Sequence, residues 1–432
     1  MRCKLLIHVY YRNNRFIENM KKAVFILFIS AVLNFSTVYA QNRTKIEGIV
    51  VDENNISLPY VSLRIGAQAT TISNSEGSFT LEFTDNQLRD SLIVSYIGYK
   101  RIKIPLSDLH TGLKIKLVPD ITSLNEIVIR QLTAEAIITN AMNNVPENYD
   151  TRPFEMTGFY REVGRIDSNY LSFAEAALSI LNQGYINKAR KDLILIKKER
   201  SLKKIGDKEV NNPFHAAVKG VPYIVLANDI VKHPGAVFGK DYISQYKYEI
   251  AGSTSVNGEE AYVIKFDQKD GVKKPLYKGS AVIIKSSYAI ASIDFTLSPK
   301  GKSYAESDIP FFQRPIIKLL GYSFQKINEE LSEKYVRIND KWYPYFYKIE
   351  TTHHVKAKKQ HIDGELHISA ELFVSKINEQ PENSYSKELI MPDNYVFKKV
   401  AENHNDSYWE GVDFIKPTSS LKAVAEKMSG NK

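Results

Sequence analysis

The sequence predicts a mainly β protein: a small N-terminal β-sandwich followed by a larger, curved antiparallel sheet with a few helices. Three observations support that expectation. Apolar residues recur at every second position through most of the chain, the spacing that buries one face of a strand. The alternating runs are separated by Asn, Asp and Gly clusters, which suit short β connections. Stretches with helical spacing are few, and none after residue 40 reaches the roughly 18 apolar residues of a membrane helix. With 432 residues, 43% hydrophobic and 25% charged, the chain has the balance of a folded protein of two or three domains. Its one cysteine, Cys3, excludes a disulfide framework, a cysteine zinc site and cysteine catalysis in the body of the protein.

Residues 1–40 read as an upstream extension and a signal peptide. Lys21 and Lys22 precede an apolar run from Ala23 to Leu33, and Val38-Tyr39-Ala40 puts small residues where a signal peptidase reads. Met20 is the natural start. Cleavage is expected after Ala40, which makes the mature chain periplasmic or outer-membrane-associated, with no transmembrane segment. Without the leader the net charge of +9 falls to 52 basic against 48 acidic residues. That balance argues against nucleic acid as a partner, because phosphate binding needs a concentrated basic face.

Residues 41–120 are expected to form the sandwich. Alternation is explicit in Val61-Ser62-Leu63-Arg64-Ile65, in Phe79-Thr80-Leu81-Glu82-Phe83, in Leu92, Val94 and Tyr96, and in Leu113, Ile115 and Leu117. About seven short strands, each apolar on one side, must close two sheets over a shared core. The blocks Ile46–Asp52, Leu58–Leu63, Asn74–Phe79, Val94–Tyr99 and Leu124–Ile129, in this order and spacing, resemble the carboxypeptidase-regulatory-like domain of Bacteroidota envelope proteins. The resemblance implies a transthyretin-like sandwich that is accessory rather than catalytic. In transporter relatives this domain leads into an outer-membrane barrel. No ladder of membrane strands follows here, and Ser429-Gly430-Asn431-Lys432 lacks a terminal aromatic, so a transporter is not expected.

Residues 121–150 read as a linker with a helix from Thr133 to Val145, capped by Thr133 and stopped by Pro146, with Ala134, Ile137, Ile138, Ala141 and Met142 as its apolar stripe. Residues 151–400 read as an antiparallel β-rich domain with helical insertions. Strands are expected at Phe154–Val163 and Tyr170–Ile180, a lysine-rich exposed excursion at 186–212, and a buried helix at Pro222–Val231. A meander follows over Tyr246–Ser298 with a hairpin turn at Asn257-Gly258, then a helix at Phe311–Leu320 and strands at Glu333–Ile338, Trp342–Glu350 and His361–Leu372. The pattern resembles the half-barrels of periplasmic lipoprotein carriers. The linker helix, Gly158–Glu162 and Lys341–Tyr343 also resemble an uncharacterised region that follows this sandwich in other Bacteroidota proteins, a family that implies no known activity. Residues 401–432 form a C-terminal segment with Trp409 and a short helix from Ser420, expected to dock on the sheet.

Two constellations are candidates for function. On an extended strand His361, Asp363, Glu365 and His367 share one face, making His361, Glu365 and His367 the candidate metal ligands. Positions 361 and 367 lie about 20 Å apart along a strand, however, so no metal site and no cofactor is expected. None of the nine histidines has glutamate three positions on, as a metallocarboxypeptidase requires, and no nucleophile elbow or phosphate loop is present. The run Trp342-Tyr343-Pro344-Tyr345-Phe346-Tyr347 offers Trp342, Tyr345 and Phe346 as ligand-binding candidates. Period two puts Trp342 and Phe346 on one face and the three tyrosines on the other, with Pro344 marking an edge or bulge. The expected function is a non-enzymatic envelope protein that binds an envelope component, lipid or protein partner. The alternatives are a periplasmic lipid or lipoprotein carrier and a hydrolase built around His361 and His367.

Overall fold

A computed structural model describes residues 43–66, 68–120, 132–187, 190–203, 220–305, 314–381, 385–397 and 406–423. Thr44–Lys432 form one compact unit. The expected leader and its cleavage point after Ala40 lie outside the described residues.

Seven strands make the sandwich: β1 (Arg43–Val51), β2 (Ser62–Ile65), β3 (Gln68–Ile72), β4 (Ser78–Thr84), β5 (Ser91–Ser95), β6 (Ile102–Pro105) and β7 (Leu113–Lys116). One sheet has the order β4-β1-β7, with β1 parallel to β7, and the other β3-β2-β5-β6. The alternating residues Val50, Leu63, Phe79, Leu81, Val94 and Ile115 interdigitate as one buried core. Each such side chain stabilises the fold by roughly 1.5–3 kcal/mol, which lets seven short strands stand together.

The second sheet has ten strands: β8 (Phe154–Ile166), β9 (Asn169–Asn182), β10 (Leu193–Lys203), β11 (Tyr246–Val256), β12 (Glu259–Gln268), β13 (Tyr277–Ile284), β14 (Ile290–Leu297), β15 (Tyr322–Ile338), β16 (Lys341–Ala357) and β17 (Ile362–Asn378). Their order is β10-β9-β8-β17-β16-β15-β14-β13-β12-β11, antiparallel throughout and open at both edges. The last strand inserts beside the first, so β17 and β8 join two meanders into one surface. Asn257 and Gly258 both take positive φ (54° and 91°) at the β11–β12 hairpin, as the sequence predicts.

One expectation is corrected here. Part of the 186–212 excursion is the edge strand β10, with Ile194 and Leu195 buried. A bulge between Ile196 and Lys198 breaks the alternation, and the flanking lysines mask a run of four aliphatic residues from Leu193 to Ile196.

The described helices are α1 (Ala134–Asn143), α2 (Val145–Asn148), α3 (Val221–Ala227), α4 (Gly235–Phe238) and α5 (Arg314–Leu319), and residues 419–423 are also helical, where the sequence predicts a short helix. Thr133 Oγ1 accepts from Ala136 N at 3.1 Å and caps α1. Ile137, Ile138, Val225, Leu226 and Phe238 share a core with Phe154, Tyr160, Ile264, Ile293 and Leu372, so helices fill one face of the ten-stranded sheet. The opposite face holds the sandwich. There Ile72 and Tyr60 pack with Phe159, Phe346 and Phe373, and with Trp409, Phe414 and Ile415 of the C-terminal segment.

Candidate binding cleft between the sandwich and the sheet

The pairing register sets the chemistry of the sandwich-facing surface. Glu249, Lys265, Ser280, Asp294, Ser332 and Lys348 stand opposite one another, one from each strand, in a single row from β11 to β16. The row runs on through Glu371, Arg161, Glu175 and Arg200 to the far edge. Every strand therefore contributes a charged residue or a serine at one level of the sheet. Lys247, Asp267 and Lys278 begin a second, parallel row on β11, β12 and β13.

Half of the row is open. It floors a cleft of about 950 Å³ whose other wall is Pro59, Tyr60 and Tyr96 of the sandwich, and six lysines and five carboxylates line it. The charges are partly paired: Lys348 Nζ lies 2.9 Å from Glu350, Lys300 Nζ 3.4 Å from Asp267, and Ser332 Oγ donates to Asp294 at 2.6 Å. Burial, helped by the nearby Asp294 carboxylate, pushes the Tyr96 phenol up to about 12.

Tyr60 divides this cleft from a second cavity of about 310 Å³, and lines both. Its φ is +57°, a conformation that costs a non-glycine residue on the order of 1 kcal/mol or more. The ring stacks on Phe346 with centroids 4.5 Å apart, and the hydroxyl donates to Glu371 at 3.1 Å. Burial first, then the Glu371 charge, raises its pKa far above that of a free phenol.

The other half of the row is closed by the chain itself. Glu175 sits between Arg161 and Arg200 at 2.7 and 2.6 Å, all three nearly inaccessible. Trp409 Nε1 donates to Glu175 at 3.1 Å, and Arg161 Nη2 donates to Ile415 O at 2.6 Å. From the sandwich, Thr71 Oγ1 donates to Phe414 O at 3.1 Å and Asn74 Nδ2 to Lys416 O at 3.2 Å.

Residues 46–129 match the family described as CarboxypepD_reg-like domain. The match takes in the strands of the sandwich from Ile46 of β1 to β7. No curated protein matches the chain. Among solved structures the chain is similar to a LolA superfamily protein from Nitrosomonas europaea, at 12% identity and a TM-score of 0.26 over 61% of this chain and 99% of that one. It is also similar to a DUF1329 family protein from Desulfovibrio piger, at 10% and 0.22 over 56% and 92%. A third is the MucA/MucB complex of Pseudomonas aeruginosa, at 12% and 0.16 over 58% and 99%.

The residues singled out from sequence are dispersed. Trp342 is buried in the helix-side core with Tyr343 and Tyr347, whereas Tyr345 and Phe346 both face the CarboxypepD_reg-like domain. The expected alternation fails because the β15–β16 pairing skips Tyr345: Lys334 faces Phe346 and Tyr335 faces Pro344. Pro344 thus marks a bulge in an interior strand. None of the three candidates lines either of these two cavities; Phe346 acts on the cleft by supporting Tyr60.

The histidine face also divides. His361 lies outside β17, in a turn at φ +55°. Asp363 is taken by His354 at 2.7 Å and Lys356 at 2.9 Å. His367 Nε2 lies 3.5 Å from Glu365, and its Nδ1 is 3.2 Å from Thr352 Oγ1; burial, then Arg165, lowers its pKa. Among the described residues no three His, Cys, Asp or Glu side chains group as metal ligands.

Sequence reasoning missed a buried polar cluster on the helix side. Asp229 accepts from Tyr185, Tyr335 and Tyr347 at 3.2, 2.9 and 2.7 Å. Tyr335 also reaches Glu333 at 2.8 Å, and Glu333 accepts from Ile230 N at 3.0 Å. Burial, then the Asp229 charge, pushes Glu333 well above the usual carboxylate range. Alternation hides these residues, since Asp229 follows a helix and Glu333 occupies a helix-facing position between Leu331 and Tyr335.

Proposed function

We propose that this chain is a non-enzymatic envelope protein that binds a polar envelope component or a protein partner in the cleft between the CarboxypepD_reg-like domain and the ten-stranded sheet. One observation supports this above others: the cleft of about 950 Å³ has a floor of regularly spaced charges of both signs. Such a floor favours a ligand with polar groups of its own. It disfavours a lipid chain, which would strip water from lysines and carboxylates without replacing it. The apolar face a lipid carrier needs is occupied by α1, α3 and α4. A hydrolase at His367 would use Thr352 as nucleophile, and Thr352 sits mid-strand between β15 and β17, where ladder pairing spends the backbone N–H groups an oxyanion needs. The leader read in residues 1–40 supports an envelope location.

The test is photo-crosslinking in an envelope fraction, with a photoreactive residue at Ser280 or Ser332 on the cleft floor and a control at exposed Leu319. A discrete adduct from the two floor positions and not from the control is expected. Equal labelling from all three, or none, refutes the proposal.

A further inference from the structure

We propose that the ligand of the cleft is a polypeptide segment of a partner protein, carrying charges of both signs and held as the chain holds its own tail. The inference rests on the cleft being the binding site and names what fills it.

The closed half of the polar row shows how this surface grips a polypeptide. Residues 413–417 run without regular secondary structure between the sandwich and the sheet, and both walls donate to their carbonyl oxygens: Arg161 from the sheet, Thr71 and Asn74 from the sandwich. A side chain, Trp409, is locked onto the row by Glu175. Residues 408–416 mix signs and aromatics, with Glu410, Asp413 and Lys416 beside Tyr408, Trp409 and Phe414.

The open half continues the same row on the same level, with the same two walls. The tail leads toward it: Thr418, Ser420 and Leu421 line the smaller cavity, which shares Tyr60, Lys348 and Glu350 with the cleft. Six strands at about 4.8 Å spacing span roughly 24 Å, room for about seven extended residues. Six lysines against five carboxylates leave almost no net charge, so a polyanion or polycation meets like charges along its length while a mixed-sign chain does not.

The experiment uses the purified full chain and two probes, a phage-displayed library of random dodecapeptides and an array of bacterial oligosaccharides. Lys265→Glu and Lys278→Glu, both exposed on the cleft floor, are the test variants. Enriched peptides are expected to lose about tenfold or more in affinity to each variant, the cost of juxtaposed like charges, and to regain it when an acidic residue of the peptide is changed to lysine. If oligosaccharides bind with that dependence on the lysines and no peptide does, the polypeptide inference is overturned while the cleft remains the binding site. If binding of neither probe responds to the lysines, the cleft itself is wrong.

Discussion

Neutralising Glu175 tests how the C-terminal segment is held. Its carboxylate is inaccessible, and the Arg161 and Arg200 side chains that grip it are only 3% and 6% exposed. Burial by itself raises a carboxyl pKa; here the two guanidiniums outweigh it and hold Glu175 below its ordinary value of 4.5. Glu175→Gln keeps the shape and leaves two buried cations facing a neutral amide. Removing one partner of a buried ion pair costs about 3–5 kcal/mol. We expect about 3 kcal/mol, the lower end, because Arg161 keeps Ile415 O and lies 3.9 Å from Glu371. Urea unfolding at pH 7 gives the magnitude, and chymotrypsin cleavage after the buried Phe414 reports release of the segment. The pH dependence has a fixed sign. A lowered folded-state pKa gives stability that is complete above the unfolded value of 4.5 and is lost as pH falls through the folded value, so wild type and variant converge in acid. A loss below about 1 kcal/mol, the value of an exposed pair, with unchanged proteolysis, would refute this account.

Glu333→Gln should act in the opposite sense. A raised folded-state pKa gives stability that is present below 4.5 and lost as pH rises through the folded value, so an uncharged isostere should raise the urea midpoint at pH 8 and flatten its pH dependence; a lower midpoint at pH 8 contradicts the burial argument. Gly220 has φ +65°, and a Cβ there would lie 1.9 Å from Asp393 O, so Gly220→Ala should cost more than about 1 kcal/mol in the same assay. Phe346→Ala removes the ring under Tyr60 and a buried contact between sandwich and sheet; a loss of about 3–5 kcal/mol is expected, and a loss below about 1 kcal/mol would mean the two do not depend on this contact.

Much of the architecture is legible locally. The runs around Leu63, Phe79 and Val94 reveal the sandwich because a strand's alternation is set by its own residues. Thr133 and Pro146 bracket the linker helix, and Asn257-Gly258 marks its hairpin, since caps and tight turns depend on backbone preferences of a few neighbours. The strands β15 to β17 are longer than the sequence predicts because half-buried ends such as Tyr322–Glu330 lack a strict apolar alternation and are held by their neighbours instead.

The site was not legible, for a reason that Glu175 illustrates. Within β9 it is one polar residue among apolar ones, and nothing nearby says that Arg161, Arg200 and Trp409 surround it. The charge row likewise exists only through the register of ten strands, and bulges at Ile196, Ile250 and Tyr345 adjust that register. Most strands and their polar faces could be read locally because alternation follows from contacts between near neighbours, whereas β10 and the bulge at Tyr345 could not. Which polar residues meet, which are covered by the tail and which stay open in the cleft depend on the assembled fold, because those contacts join positions from 14 to 343 residues apart.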